Sequence, residues 1–302
     1  MIKELQEKIL QLKQEKGAII AAHSYIDKEI LEIADVKGDS FVLSVEAAKS
    51  HAKWVILCGV HFMAEGIKLL SPDKKVTIVR EDCGCAMADM VPPEYIREYK
   101  AAHKDSIAMC YINTTAAVKA ECDVCVTSSS ALKIAQQYKG KNILFVPDKN
   151  LGGFINDNAG LDMSLCDGCC PVHDEVTISD VLAAKLAHPN ALLLVHPECR
   201  KEVADAADYV GSTAGIMEFA RQTEADELII GTEISIADHL AYELPGKKIH
   251  ILSKKLICPD MRITRLIDVY NTLNGTGGLD IELDKATEQK ARACIEKMIE
   301  LG

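Results

Sequence analysis

No segment of the chain approaches the roughly 18 consecutive apolar residues that a membrane-spanning helix needs. The opening stretch, MIKELQEKIL, is charged from Lys3 onward and lacks the apolar core of a secretory leader. It reads as an amphipathic helix, with Ile2, Leu5, Ile9 and Leu12 at helical spacing. A basic excess is also missing. The 34 Lys and Arg stand against 45 Asp and Glu, a formal net charge of −11, whereas nucleic acid needs a basic face. There is no Gly/Ser linker, no low-complexity tract and no long run of one charge. These absences predict a soluble, cytoplasmic protein with no nucleic-acid and no membrane partner. The twelve cysteines among 302 residues fall well short of a disulfide scaffold. In a reducing compartment, cysteines in a special arrangement point to metal or catalysis rather than to staples.

What is present is alternation. Six Val- and Ile-rich runs read as buried parallel strands covered on both faces: 17–23, 54–59, 106–112, 142–148, 191–197 and 227–232. Helix-like stretches separate them, which predicts an α/β fold. Three segments then match one another. The first has HSY at 23–25, ADVKGDS at 34–40, LCG at 57–59 and Cys85. The second has YIN at 111–113, CDVCVTS at 122–128, VPD at 146–148 and Cys170. The third has HPE at 196–198, ADYVGST at 207–213, IGT at 230–232 and Cys258. The triplet-to-cysteine offsets are 62, 59 and 62 residues, and those from Asp35, Asp123 and Asp208 are 50, 47 and 50. A period of 85 to 88 residues is too long for a solenoid unit. It predicts three αβα domains: 1–87 with the N-terminal helix, 88–172, and 173–302 with the C-terminal helix.

The repeat ranks the cysteines. In LCDGCCPVHD (165–174), only Cys170 is in register with Cys85 and Cys258. Three equivalent loops about a pseudo-threefold axis would bring these thiols, the three triplets and Ser40, Ser128 and Thr213 to one centre. Three thiolates suit zinc with His173 or His196 as fourth ligand. They equally suit a [4Fe–4S] cluster with one exchangeable iron, able to act as a Lewis acid. The C-x2-C pairs Cys122/Cys125 and Cys166/Cys169 have no partner pair at zinc-ribbon spacing and read as bystanders. Cys58, Cys110, Cys199 and Cys294 read as small hydrophobes. Cys83 has no counterpart in the other repeats.

In many ordered motifs the chain resembles the type A iron–sulfur quinolinate synthase family. The matches include AAHSY (21–25), CGVHFMAE (58–65), GCAMADM (84–90), YINTTAAVKAECDVCVTSSSA (111–131), VPDKNLG (146–152), CPVH (170–173), HPEC (196–199), GSTAG (211–215), GTE (231–233) and CPDM (258–261). The resemblance implies three pseudo-symmetric three-layer αβα domains around a [4Fe–4S] cluster held by Cys85, Cys170 and Cys258. It implies condensation of iminoaspartate with dihydroxyacetone phosphate to quinolinate, with loss of phosphate and two waters, in NAD biosynthesis. Substrate contacts fall on His23, Ser40, Tyr111, Ile112, Asn113, Ser128, His196, Pro197, Glu198 and Thr213, and Tyr25 becomes catalytic. Through the same resemblance, an enzyme that produces iminoaspartate is expected as a transient partner.

Combined with the residues themselves, this predicts Glu198 as general base or acid assisted by His196, with His23 and Tyr25 orienting the intermediate. Tyr111 and Asn113 would hold a carboxylate or carbonyl. Ser40, Ser128 and Thr213 would serve anions at helix starts, although hydroxyls there often act as plain caps. Lys149 reads as a structural ion-pair partner of Asp148 or of a neighbouring repeat, and His61 with Glu65 as an interdomain packing pair. The chain departs from the family at Ile26, Asp260 and Arg262, and Pro259 and Asp260 follow Cys258 without a second cysteine. Two other readings of the residues are an iron–sulfur dehydratase of another hydroxy acid and a zinc-stabilised binding protein.

Overall fold

The computed structural model describes residues 1–302. The six apolar runs all become strands, trimmed at their ends, and each is joined by shorter ones. The first sheet contains β1 (Ala18–His23), β2 (Val36–Gly38), β3 (Trp54–Cys58) and β4 (Lys75–Ile78). The second contains β5 (Ile107–Tyr111), β6 (Val124–Val126), β7 (Ile143–Val146) and β8 (Ser164–Leu165). The third contains β9 (Leu192–Val195), β10 (Tyr209–Val210), β11 (Glu227–Gly231) and β12 (Lys248–Ile251). Each has the order second–first–third–fourth, and β13 (Leu279–Asp280) adds an antiparallel edge beside β4. All other pairings are parallel. The molecule is therefore an α/β protein of three parallel-dominated sheets in αβα layers. No helix is long and apolar enough to cross a membrane.

The repeat has a physical basis at its aspartates. Asp35 Oδ2 accepts the Ile20 N–H at 2.8 Å, Asp123 Oδ2 the Ala108 N–H at 2.8 Å, and Asp208 Oδ2 the Leu193 N–H at 2.7 Å. Each aspartate N–H returns to the carbonyl of the same first-strand residue: Ile20, Ala108 and Leu193. A lysine from the preceding helix closes each clamp, namely Lys13, Lys100 and Lys185, at 2.8, 2.8 and 2.9 Å. The clamp satisfies a first-strand donor where the short second strand has not yet begun. It thereby fixes which residue leaves the first strand at its carboxyl end.

Past Cys258 the chain leaves the third sheet. Met261, Leu266, Val269, Leu273 and Ile281 join the core of the first domain. Ala291, Cys294, Ile295 and Met298, on the helix Lys285–Leu301, are buried in the core of the second. The stretch that sequence order assigns to 173–302 thus clamps the other two domains together. Its apolar helix faces were readable, but their packing partner was not.

If the clamp is the organising contact, Asp208→Ala strands the Leu193 N–H and lowers stability by about 1–3 kcal/mol. Asp208→Asn, which keeps an acceptor, costs less. Urea unfolding midpoints of the two variants check this.

Candidate active site

The carboxyl ends of the three sheets face one central cavity of about 100 Å³, the position where open parallel sheets commonly bind ligands. All three triplets end a first strand there. Of the residues named above, His23, Tyr25, Ser40, Tyr111, Ile112, Asn113, Ser128, His196, Glu198, Thr213 and the thiols Cys85, Cys170 and Cys258 line it. Pro197 is buried but does not reach the wall.

The loop at 165–174 separates its cysteines by packing. Cys166 Sγ points back to the Pro147 carbonyl at 2.7 Å. Gly168 lies so close that a Cβ would meet the Pro147 oxygen at 2.5 Å, so no other residue fits without moving the loop. The buried Asp148 caps the helix Lys149–Ala159 and accepts the Cys170 N–H at 3.0 Å. Cys170 then opens the turn Pro171–Asp174, as Cys258 opens Pro259–Arg262. Cys169 does not line the cavity. Cys83 is buried and turned to the Asp260 carbonyl and the Thr264 hydroxyl, both at 3.3 Å, and so is also absent from the wall. Burial drives Cys85 up to about 12 and Cys258 up to about 11, and it raises Cys170 as well. Such thiols ionise only against a bound positive centre. A set of three soft donors on three separate loops fits an iron–sulfur cluster. A different set also converges: Cys170, His173 and Glu198 offer ligand atoms within 4.8 Å of one another.

The helix starts settle who caps. Asp39 accepts the Phe41 and Val42 N–H groups, and Ser212 accepts that of Gly215. Ser40 and Thr213, each one residue later, do not cap their helices. The Thr213 hydroxyl lies 3.0 Å from the Tyr25 hydroxyl. Lys149 pairs with Asp167 at 2.8 Å rather than with Asp148, because the Asp148 carboxylate is committed to the N–H groups of Leu151 and Cys170. Glu65 accepts the Ala116 N–H at 2.8 Å, an interdomain contact. Ile26 is buried in the first core. Arg262 pairs with Asp27 at 2.8 Å and with the buried Glu233 at 3.3 Å.

Sequence reasoning gave His173 only a ligand's part and gave Thr232 none, yet both lie in a chain of hydroxyl, imidazole and carboxylate. Tyr25 Oη is 3.3 Å from Thr232 Oγ1, which is 3.1 Å from His173 Nε2. His173 Nδ1 is 3.1 Å from Glu198 Oε2. If Thr232 donates to Nε2, the His173 proton sits on Nδ1, which faces Cys170 Sγ at 3.3 Å as well as the carboxylate, a tautomer assigned from these partners. The only local signals were the motif positions CPVH and GTE. The HPE triplet is plainer: His196 Nδ1 accepts the Glu198 N–H at 3.4 Å.

Burial lowers His196 to about 4 and His23 to about 3, so both are neutral at pH 7. Burial alone would raise Glu198, but the neighbouring His196 and His173 and the Tyr111 hydroxyl outweigh it, and the carboxyl is held below the usual range. Burial also raises Tyr25 and, together with Glu198, Tyr111. No lysine or arginine lines the cavity.

A cavity shared by three parallel-sheet domains, with three thiols and with tyrosine, histidine and glutamate side chains on its wall, has the form of an α/β enzyme's active site. The family model for quinolinate synthetase A proteins matches residues 7–300. A quinolinate synthase of Caldicellulosiruptor saccharolyticus is 46% identical over 302 residues, covering 100% of this chain and 99% of that one. That of Methanoregula boonei is 43% identical over 297 residues, covering 98% of each. That of Clostridioides difficile is 43% identical over 290 residues, covering 96% and 95%. The chain belongs to the quinolinate synthase family.

The buried neutral His23 sets a pH dependence. Its folded value of about 3 lies below the unfolded value of about 6.5. Between the two, the unfolded chain takes up a proton that the native protein refuses, so stability falls as pH falls through this window. Above about pH 6.5 there is no contribution. His23→Asn keeps an acceptor but does not titrate, so its unfolding midpoint should fall less steeply than wild type between about pH 6 and pH 4.

Proposed function

We propose that the enzyme condenses iminoaspartate with dihydroxyacetone phosphate to quinolinate, phosphate and two waters, in the cytoplasm. One observation carries the reading: loops of three domains bring three thiols, and no basic side chain, to a cavity lined by His, Tyr, Asn, Ser and Thr. Cys85, Cys170 and Cys258 would hold a [4Fe–4S] cluster, which supplies Lewis acidity at its open position.

The chain's own groups do the rest. Both substrates are anionic, and the net charge of −11 repels them at long range. Their capture falls to local donors: the Ser40, Ser128 and Thr213 hydroxyls, the Asn113 amide, and free N–H groups at the starts of the helices Ser40–Lys49 and Thr213–Gln222. A cavity without lysine avoids a competing amine that could attack either carbonyl-type substrate. Glu198, ionised at neutral pH, accepts carbon-bound protons during enolisation and ring closure and returns them to departing hydroxyls. Through His173 and Thr232 it communicates with Tyr25, which serves the far side of the intermediate. His196, neutral and anchored by the Glu198 N–H, assists with its remaining ring nitrogen. Tyr111 and Asn113 orient a carboxylate. An enzyme that makes iminoaspartate would deliver it by transient contact.

A second reading has one specific support: the Cys170–His173–Glu198 group could hold zinc instead. Metal analysis of anaerobically purified protein separates the two. The cluster reading expects about four irons and four sulfides per chain, lost in Cys170→Ala and kept in Cys169→Ala. A colourless protein with about one zinc, or a cluster that depends on Cys169, overturns it. Glu198→Gln should retain the iron and sulfide and lose about 10²–10⁴-fold in turnover. Near-normal quinolinate formation by that variant would remove Glu198 from the proton-transfer role.

A further inference from the structure

The third domain carries a second group of ligand-type side chains, none of which lines the central cavity. His188 follows the last residue of the helix Ile178–Ala187, Glu227 opens β11, and His250 lies in β12, the edge strand of its sheet. Glu227 Oε1 lies 2.8 Å from His250 Nε2 and 3.6 Å from His188 Nδ1. The three ligand atoms are within 4.8 Å of one another. The two imidazoles are stacked, with centroids 3.5 Å apart and planes 14° from parallel.

The strands bring the three side chains to one face of the sheet. Glu227 is paired in register with Lys248, and Ile229 with His250. Alternation therefore puts Glu227 and His250 on the same face of neighbouring strands. The near-parallel rings do not aim both in-plane lone pairs at one point, so binding turns at least one imidazole out of the stack. The two imidazoles offer two ring nitrogens beside one carboxylate, which its hydrogen bond with His250 holds below the usual range. The carbonyl end of the helix also favours a cation at His188. Lys248 is the neighbouring positive charge on Glu227, and it flanks the site without supplying a ligand. In a tetrahedral zinc site with bonds of about 2.0–2.1 Å, neighbouring ligand atoms lie about 3.3–3.4 Å apart. The distances of 2.8 and 3.6 Å bracket that spacing.

We propose that His188, Glu227 and His250 bind a zinc-class divalent ion, completed by water, that fastens the edge strand β12 and the helix end to β11. Two imidazoles and one carboxylate suit zinc rather than magnesium or calcium. The ion has a structural part only, since its ligands lie outside the cavity.

The test uses holoprotein free of any histidine tag, dialysed without oxygen against zinc chloride. Zinc content is measured together with X-ray absorption at the zinc edge. The proposal expects about one zinc per chain with a nitrogen/oxygen shell near 2.0–2.1 Å. It expects an unfolding midpoint raised by zinc and restored by chelator. His250→Ala and the shape-preserving Glu227→Gln should each weaken that zinc at least about tenfold, with iron content and quinolinate formation unchanged. No bound zinc, zinc with only a sulfur shell near 2.3 Å, or equal binding by both variants overturns the proposal.

Discussion

A carboxylate that accepts a backbone N–H from a neighbouring strand is the contact on which this architecture turns. Asp35, Asp123 and Asp208 make it in turn. Each holds the amino end of a first strand against the residue that leads into the second. With that end fixed, the strand's length decides what emerges at its other end: HSY, YIN and HPE. The second strand, held by the same clamp, runs out into the helix starts that carry Ser40 and Thr213 and, in the second domain, into the turn that carries Ser128 ahead of the helix Ala131–Gln137. One clamp per domain thus sets two of the three contributions each domain makes to the cavity, and the cysteine loop makes the third.

The cavity solves an electrostatic difficulty by exclusion. A lysine or arginine on the wall would pair with Glu198. Here the wall has neither. Burial keeps His23 and His196 neutral, so they add hydrogen-bonding nitrogens to the wall without adding charge. Burial raises Glu233 as well, against the pull of Arg262. Asp148 also lies buried, with its oxygens spent on backbone donors at the root of the Cys170 loop. Of the other carboxyl groups at the centre, Asp39 and Asp148 are committed to backbone donors, Glu233 is braced by Arg262 outside the wall, and Asp260 has neither.

The domains hold one another through polar pins as much as through apolar cores. Asn150 donates to the Glu198 carbonyl at 3.0 Å, and Ser235 donates to the Tyr25 carbonyl at 3.2 Å. Cys83 reaches the Asp260 carbonyl. Each pin joins a residue next to the site to a different domain. A shift of one domain would therefore be felt first at Glu198, Tyr25 or the Cys258 loop. The C-terminal segment, which packs on the first and second cores, limits such shifts.

The sequence by itself determined the alternation of strand and helix, the threefold period and the cysteine of each repeat that lines the cavity. These are local or periodic signals, written in apolar runs and fixed offsets. The strands it left unread, such as β6, β8 and β10, are two or three residues long and too short to carry a pattern. It marked Ser40 and Thr213 as either caps or donors. Only the folded helix starts, capped by Asp39 and Ser212, removed the capping role. Tertiary structure alone linked Tyr25 to Glu198 through Thr232 and His173, sent the last helix to the second domain, and brought His188, Glu227 and His250 together. In each case the partners are far apart in sequence, and their meeting depends on how separately stable layers pack. Offsets along a chain specify which end of a strand a residue occupies, but not which side chain of another domain will stand opposite it.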